Sequence, residues 1–236
     1  MKKHIKRMAA PDTWAIPRKT SHWVTKPRAG PHRTHESMPL LAVIRDMLKL
    51  CDNSREARFI IGSRGVAIDG KIVTDYKYPV GLMDVVSILK TKQNFRMLVD
   101  YKAKLQLVPI EDAEKGWKLA RIDNKSSSRK GKVQLNLHDG RCIMLPKDQH
   151  KTGDVLKIEL PSQKVVKTIK LEKGNLVLLI GGSHPGTVQT IEDYQIRRGS
   201  APNLVTFKEG FSTIKENVFV VGDKAPEIKL LEAKAA

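Results

Sequence analysis

Lysine and arginine dominate the residues of this chain that could carry chemistry. Its 236 residues include 43 Lys and Arg against 25 Asp and Glu, which gives a formal net charge of +18. A surplus of this size attracts polyanions, and the ordinary candidates are nucleic acid, an anionic membrane surface and acidic proteins. Binding to nucleic acid requires clustered cations at phosphate spacing and a few aromatic side chains that stack on bases. The sequence contains both, so nucleic-acid binding is the leading hypothesis.

The cations gather in three places. The first 36 residues hold nine Lys or Arg against two acidic residues, include two tryptophans and lack sustained periodicity, which predicts an extended arm without its own core. Arg55 and Arg58, at i and i+3, share the exposed face of a predicted helix. The polar stretch 124–132 contains no core-forming residue and is predicted to be a loop, either a flexible connection or a phosphate contact.

No catalytic or metal-binding constellation is recognisable. The segment Gly181–Gly186 matches neither GxGxxG nor GxxxxGK[ST] and is typical of a tight turn that needs positive φ. His32 and His35 have HxxH spacing but no further ligand nearby. Three carboxylates between 111 and 114 are typical of a solvated turn. We therefore expect no enzyme activity, no metal, no cofactor and no small-molecule substrate.

The remaining composition favours a cytosolic protein. Cys51 and Cys142 are 91 positions apart and form no CxxC pair, which fits a reducing compartment. No apolar run approaches the length of a membrane-spanning helix, and no apolar segment of signal-peptide length follows the basic start. No membrane partner is expected.

The spacing of residues along the sequence predicts the helices and the hairpin that position the cations. Apolar residues between 40 and 51 recur at helical spacing, with Pro39 in the first turn. A second helix should begin near Asn53 or Ser54, either of which could cap it, and Asn53 has capping-box separation from Glu56. The pair Asp69-Gly70 between two apolar runs predicts a two-residue hairpin.

From residue 94 the periodicity is mostly two, which predicts β structure. The expected fold class is α+β and multidomain. Its parts are a basic arm (1–37), a small helix–helix–hairpin module (38–93), a central all-β domain (94–172), a C-terminal β-barrel (173–222) and a tail (223–236).

Two segments resemble known modules. Residues 40–84, with SREARFIIGSRGVAIDGKIV at their centre, resemble the α-L RNA-binding module. Residues 174–191, GNLVLLIGGSHPGTVQTI, resemble a KOW motif, from which they depart by the bulky His184-Pro185 in the turn. With KKHIKRMAAPDTW, GPH at 30–32 and YPVGLMDVVSI at 78–88, the chain resembles, over residues 2–222, the archaeal and eukaryotic family of small-subunit ribosomal protein four.

That resemblance implies an α-L module, a central β domain and a KOW SH3-like barrel in a structural component of the cytoplasmic small ribosomal subunit. The implied partners are small-subunit ribosomal RNA and neighbouring ribosomal proteins. The residues to which RNA contact, mainly with phosphates, is carried over are Lys2, Lys3, His4, Lys6, Arg7, Trp14, His32, Arg33, Arg55, Arg58, Arg64 and Lys71. The stretch 124–132 adds the candidates Lys125, Arg129, Lys130 and Lys132.

Two other functions remain open at this point. An RNA-modifying enzyme could use an α-L module to deliver its substrate, but it would need a catalytic domain with a nucleophile. A KOW-bearing transcription or assembly factor would be found on RNA polymerase or on ribosome precursors, and not as a stoichiometric subunit of ribosomes.

Overall fold

A computed structural model describes residues 4–128 and 131–231. The described chain is mostly β with few helices, and it divides into two compact units. Unit 1 contains the described residues up to Val99 together with Lys104–Lys118. Unit 2 contains Asp100–Ala103 and the described residues from Leu119 onward. No helix among these residues is long and apolar enough to span a membrane.

Unit 1 is built around an antiparallel five-stranded sheet. The strands of unit 1 are β1 (Ile5–Lys6), β2 (Trp23–Val24), β3 (Ser37–Pro39), β4 (Val66–Ile68), β5 (Lys71–Ile72), β6 (Pro79–Gly81), β7 (Val85–Ile88), β8 (Gln93–Val99) and β9 (Leu105–Ile110). The sheet has the order β5-β4-β7-β8-β9, while β1 pairs with β2 and β3 with β6. Strands β8 and β9 therefore extend the sheet that β5, β4 and β7 form.

Two helical segments connect β3 to β4. The first consists of α1 (Leu40–Ala42) and a π-helical turn at Val43–Met47. It ends earlier than predicted, because the Leu48 N–H bonds to the Val43 carbonyl and Lys49 adopts a φ of +51°. The second helix, α2 (Ser54–Gly62), begins at the predicted position.

Unit 2 contains two five-stranded sheets. Its strands are β10 (Trp117–Ser127, which begins in unit 1), β11 (Val133–Leu137), β12 (Cys142–Leu145), β13 (Val155–Glu159), β14 (Val165–Ile169), β15 (Leu176–Leu179), β16 (Val188–Gln195), β17 (Leu204–Phe207), β18 (Ser212–Ile214) and β19 (Val218–Gly222). The sheet orders are β12-β11-β10-β13-β14 and β18-β17-β16-β15-β19. The first sheet covers a core that includes Ala120, Ile122, Leu135 and Leu156.

The stretch 124–132 was wrongly predicted to be a loop over its whole length. β10 extends to Ser127, and Lys125 lies opposite Leu135 in the ladder with β11. Backbone hydrogen bonds hold this hairpin, so its outer end does not need apolar side chains. The hydropathy pattern alone could not reveal such a strand.

Candidate nucleic-acid interface

Helix α2 presents two arginines to solvent. Its buried residues are Ala57 and Ile61, and Arg55 and Arg58 lie on the exposed side. The Glu56 carboxylate accepts a hydrogen bond from the Asn53 N–H at 3.4 Å, which is the acidic half of the predicted capping box. Hydrogen bonds from the Asn53 and Asp52 backbone lower the pKa of Glu56. The helix therefore begins at a fixed residue, which also fixes the direction of its cationic face.

Arg64 lies in the turn after α2, in a backbone conformation that glycine normally adopts. Its φ is +59°, and its N–H bonds to the Ile61 carbonyl, while the Gly65 N–H bonds to the Ile60 carbonyl. This pair of bonds is the Schellman C-cap, in which the left-handed residue is usually Gly. An arginine here costs conformational energy and places an exposed guanidinium at the end of the helix.

Lys71 follows the predicted hairpin turn, with Ile68 and Lys71 paired across it. Asp69 and Gly70 have φ values of +51° and +76°, as a type I′ turn requires. Lys71 is exposed, like the three arginines described above. Within the described residues, none of these four cations forms an ion pair.

Arg58 is held in place by an aromatic ring. Its guanidinium carbon lies 4.4 Å from the centroid of the Tyr76 ring, and the Lys77 ammonium lies 5.5 Å from the same centroid. Cation–π attraction restrains the guanidinium without neutralising its charge. Arg58 therefore remains able to contact a phosphate.

The arm contributes three further predicted residues that reach solvent: His4, Lys6 and Arg33. The His4 ring meets Trp23 edge to face, with centroids 4.7 Å apart. Lys2 and Lys3, and likewise Arg129 and Lys130, lie outside the described residues.

Three predicted contacts in the arm instead belong to the protein interior. Trp14 has no exposed surface, and its Nε1–H donates to the Ser37 carbonyl at 2.7 Å. Arg7 is 3% exposed and donates through Nε to the Pro17 carbonyl at 2.5 Å. His32 is buried against Asp84. The expectation that these three residues contact RNA is corrected, since their polar atoms and ring faces are covered by the chain itself.

His32 belongs to a buried ionic network in unit 1. The Lys118 ammonium donates to Asp69 at 2.7 Å and to Asp84 at 2.9 Å, and His32 Nε2 lies 2.9 Å from the other Asp84 oxygen. Burial alone would raise the pKa of Asp84, but the charges of His32 and Lys118 and two hydrogen bonds hold it far below its usual range. The network joins the arm, the hairpin turn and the start of β10.

In unit 2, the predicted cations of the β10–β11 hairpin differ in environment. The Lys125 ammonium binds both oxygens of Asp148, at 2.7 and 2.8 Å, and the His150 carbonyl. A hydrogen bond from Lys125 lowers the pKa of Asp148. Lys132 is exposed. Lys125 is therefore already neutralised, whereas Lys132 is available to a phosphate.

The glycine turn between β15 and β16 is held against the chain. Gly186 has a φ of +72°, and a Cβ there would lie 2.5 Å from the Asp100 carbonyl carbon and 2.6 Å from the Tyr101 nitrogen. Pro185 is buried and His184 exposed. The glycine is thus explained by the close approach of another backbone segment of unit 2.

Phe59 is a residue of the cationic face that was not predicted from the sequence. Phe59 is 73% exposed and lies one turn after Arg55 on α2. A helical projection would have identified it, because its i+4 relation to Arg55 assigns it to the face opposite Ala57. It was overlooked because a phenylalanine is ordinarily expected to be buried.

Three family models match successive parts of the chain. The RS4NT (NUC023) domain model matches residues 1–35, the S4 domain model residues 38–86 and the Ribosomal family S4e model residues 91–165. The chain is 47% identical to small ribosomal subunit protein eS4 of Archaeoglobus fulgidus, covering 94% of both chains. It is 43% identical to the eS4 protein of Methanothermobacter thermautotrophicus, covering 97% of this chain and 96% of that one.

The chain belongs to the ribosomal protein S4e family. The crystal structure of 30S ribosomal protein S4e from Thermoplasma acidophilum has a TM-score of 0.71 to it at 37% identity, covering 80% of this chain and 96% of that chain. S4e is a family of ribosomal structural proteins and not of enzymes, which confirms the expectation drawn from the missing catalytic constellation. The predicted family resemblance is confirmed as well.

Proposed function

We propose that this chain is a structural constituent of the small ribosomal subunit, in the cytoplasm, and binds ribosomal RNA mainly through phosphate contacts. The observation that carries the proposal is the set of exposed cations without ion-pair partners on α2, its C-cap and the following hairpin. They lie within the residues that match the S4 domain model. The names of the eS4 relatives support the same function.

The proposed RNA contacts fall in three groups. On the S4 domain they are Arg55, Arg58, Arg64 and Lys71, in the arm Lys2, Lys3, His4, Lys6 and Arg33, and between β10 and β11 along the chain Arg129, Lys130 and Lys132. Guanidinium and ammonium groups at the surface neutralise phosphates and fix the position of the protein without reading bases. We expect neighbouring ribosomal proteins as further partners.

We further propose a finer description of the fold. The helices and hairpin of residues 38–93 form an α-L module, and residues 173–222 form a KOW-type SH3-like barrel. The arm (1–37), the central β domain (94–172) and the tail (223–236) complete the division. The antiparallel order β18-β17-β16-β15-β19 with a glycine turn after β15 supports the barrel.

The proposal is tested by measuring where the protein is found and how it binds. In a sucrose gradient of native lysate at moderate and high salt, we expect about one copy per small subunit. A protein that stays at the top of the gradient, or occurs only on precursor particles, would favour an assembly factor or an RNA-modifying role.

A binding measurement tests the named residues. The double variant Arg55→Ala/Arg58→Ala should bind deproteinised small-subunit RNA more weakly, and the slope of log K against log salt should fall by about one unit per lost phosphate contact. The matched control is Lys125→Ala/Asp148→Ala, which removes a cation together with the carboxylate that it pairs with and leaves the net charge unchanged. An unchanged slope in the double variant would remove both arginines from the interface.

A further inference from the structure

An exposed aromatic ring lies within the cationic face of α2. Phe59 is 73% exposed, although burying a phenylalanine normally stabilises a fold by about 1.5–3 kcal/mol. Ala57 and Ile61 define the buried side of the helix, and Phe59 lies on the other side. Single exposed apolar side chains are common, but exposed apolar side chains that lie together mark binding surfaces.

Phe59 forms part of the wall of an open groove of about 440 Å³. The lining residues are Leu50, Cys51, Arg55, Glu56, Phe59 and Ile60. Leu50 is 38% exposed, so the groove presents two exposed apolar side chains to solvent. Such a groove can accept a flat apolar group.

The groove is lined by one cation and one carboxylate. Glu56 is the one carboxylate among the lining residues, and its oxygens accept hydrogen bonds from the Asp52 and Asn53 backbone at 3.2 and 3.4 Å. Arg55 faces the same groove without an ion-pair partner among the described residues. The two side chains leave the groove neutral in sum, and the Arg55 guanidinium is the lining group that can bind an anion.

We propose that Phe59 stacks on an unpaired base of the ribosomal RNA while Arg55 contacts a phosphate next to that base. This inference rests on the proposed function. A nucleotide carries a planar π-face and a phosphate within one residue, which matches a ring and a guanidinium one helical turn apart. An apolar protein segment would cover Phe59 but would leave Arg55 and Arg58 without counter-ions. Stacking is tolerant of base identity, so the site selects unpaired nucleotides by shape.

The proposal is tested by separating stacking from charge. Phe59→Leu keeps an apolar side chain but removes the π-face, and it should weaken binding of the full chain to deproteinised small-subunit RNA by about 5- to 100-fold. The salt slope should stay unchanged, because no phosphate contact is lost. Phe59→Trp should bind within about 2-fold of the unmodified chain. Leu89→Ala, which trims another exposed apolar side chain of unit 1, is the control and should bind normally.

The results distinguish this inference from the proposed function. If Phe59→Leu binds like the unmodified chain while Arg55→Ala/Arg58→Ala binds more weakly, stacking is refuted and the RNA-binding function stands. If the unmodified chain does not bind the RNA, the proposed function itself fails.

A crosslink identifies the occupant directly. With p-benzoylphenylalanine in place of Phe59, irradiation of purified small subunits should attach the chain to ribosomal RNA. An adduct with a neighbouring protein instead would overturn the proposal, because the groove would then be a protein-docking site.

Discussion

Lys118→Met should strongly destabilise unit 1. Lys118 has no exposed surface, and its ammonium lies 2.7 Å from Asp69 and 2.9 Å from Asp84, which are 4% and 1% exposed. Methionine has a similar shape but no charge, so two buried carboxylates would lose their shared counter-ion. Removing one partner of a buried ion pair costs about 3–5 kcal/mol.

The assay can be confined to unit 1. All three tryptophans of the chain, Trp14, Trp23 and Trp117, belong to that unit. Urea unfolding followed by tryptophan fluorescence therefore reports the unit that holds the network. For a unit of about 110 residues, a loss of 3–5 kcal/mol corresponds to a fall in Tm of about 12–20 °C.

Two further variants show whether charge is the cause. Lys115→Met removes an exposed lysine three positions away that pairs with Asp112, and it should leave the unfolding free energy unchanged within error. Adding Asp69→Asn to Lys118→Met removes one of the stranded charges and should restore part of the loss. If Lys118→Met matches the Lys115→Met control, or if the double variant is no more stable than Lys118→Met, the electrostatic reasoning is refuted.

Three other outcomes follow from single positions. Arg64→Gly should raise the free energy of unfolding by about 0.5–1 kcal/mol, because glycine relieves the φ of +59° at some cost in chain entropy, yet weaken RNA binding; equal or tighter RNA binding would exclude Arg64 from the interface. Gly186→Ala should destabilise unit 2 by about 2–5 kcal/mol in circular-dichroism melting, through strain and the clash with the Asp100 backbone. Gly174→Ala, whose Cβ would meet nothing within 4 Å, should cost only the strain. The folded-state pKa of Asp84 lies below its unfolded value of about 3.9, so the stabilisation is complete above that value and is lost as the pH falls below it. Unfolding between pH 6 and pH 2.5 should show a steeper loss for the unmodified chain than for Asp84→Asn, and parallel curves would contradict the network.

Features governed by neighbouring residues could be predicted from the sequence. Asp69-Gly70 predicted the hairpin because a type I′ turn needs two residues that tolerate positive φ, and both have it. Asn53 and Glu56 predicted the start of α2 because a capping box joins residues only three positions apart. In both cases the physical cause lies within a few residues of the element.

Features governed by distant partners could not be predicted in the same way. Asp69 appears in the sequence as a turn residue, yet its carboxylate accepts hydrogen bonds from the Val85 N–H and from Lys118, 49 positions away. RNA contact by Trp14 was expected from the family resemblance. The ring is buried instead, and its Nε1–H donates to the carbonyl of Ser37, 23 positions away.

Two of the motifs on which the family resemblance rests hold the arm against the rest of unit 1. A Cβ at Gly30 would lie 2.7 Å from Pro79, and a Cβ at Gly81 would lie 2.4 Å from the His32 ring. The segments GPH and YPVG therefore pack directly against each other, and the His32 side chain forms a hydrogen bond with Asp84. A motif in an RNA-binding protein can be required because it closes the protein core, and family resemblance alone does not separate that role from RNA contact.

The net charge and the interface are related by a simple count. Each ion pair removes one positive and one negative charge, so pairs such as Lys118–Asp84 or Lys125–Asp148 leave the surplus of +18 unchanged. The surplus must reside on cations without acidic partners, and four of these are the exposed residues of α2, its C-cap and the hairpin. Composition therefore predicts that a cationic surface exists, but only the tertiary structure shows which residues form it. Lys115 and Lys118 are three positions apart, yet one side chain is 52% exposed and the other 1%.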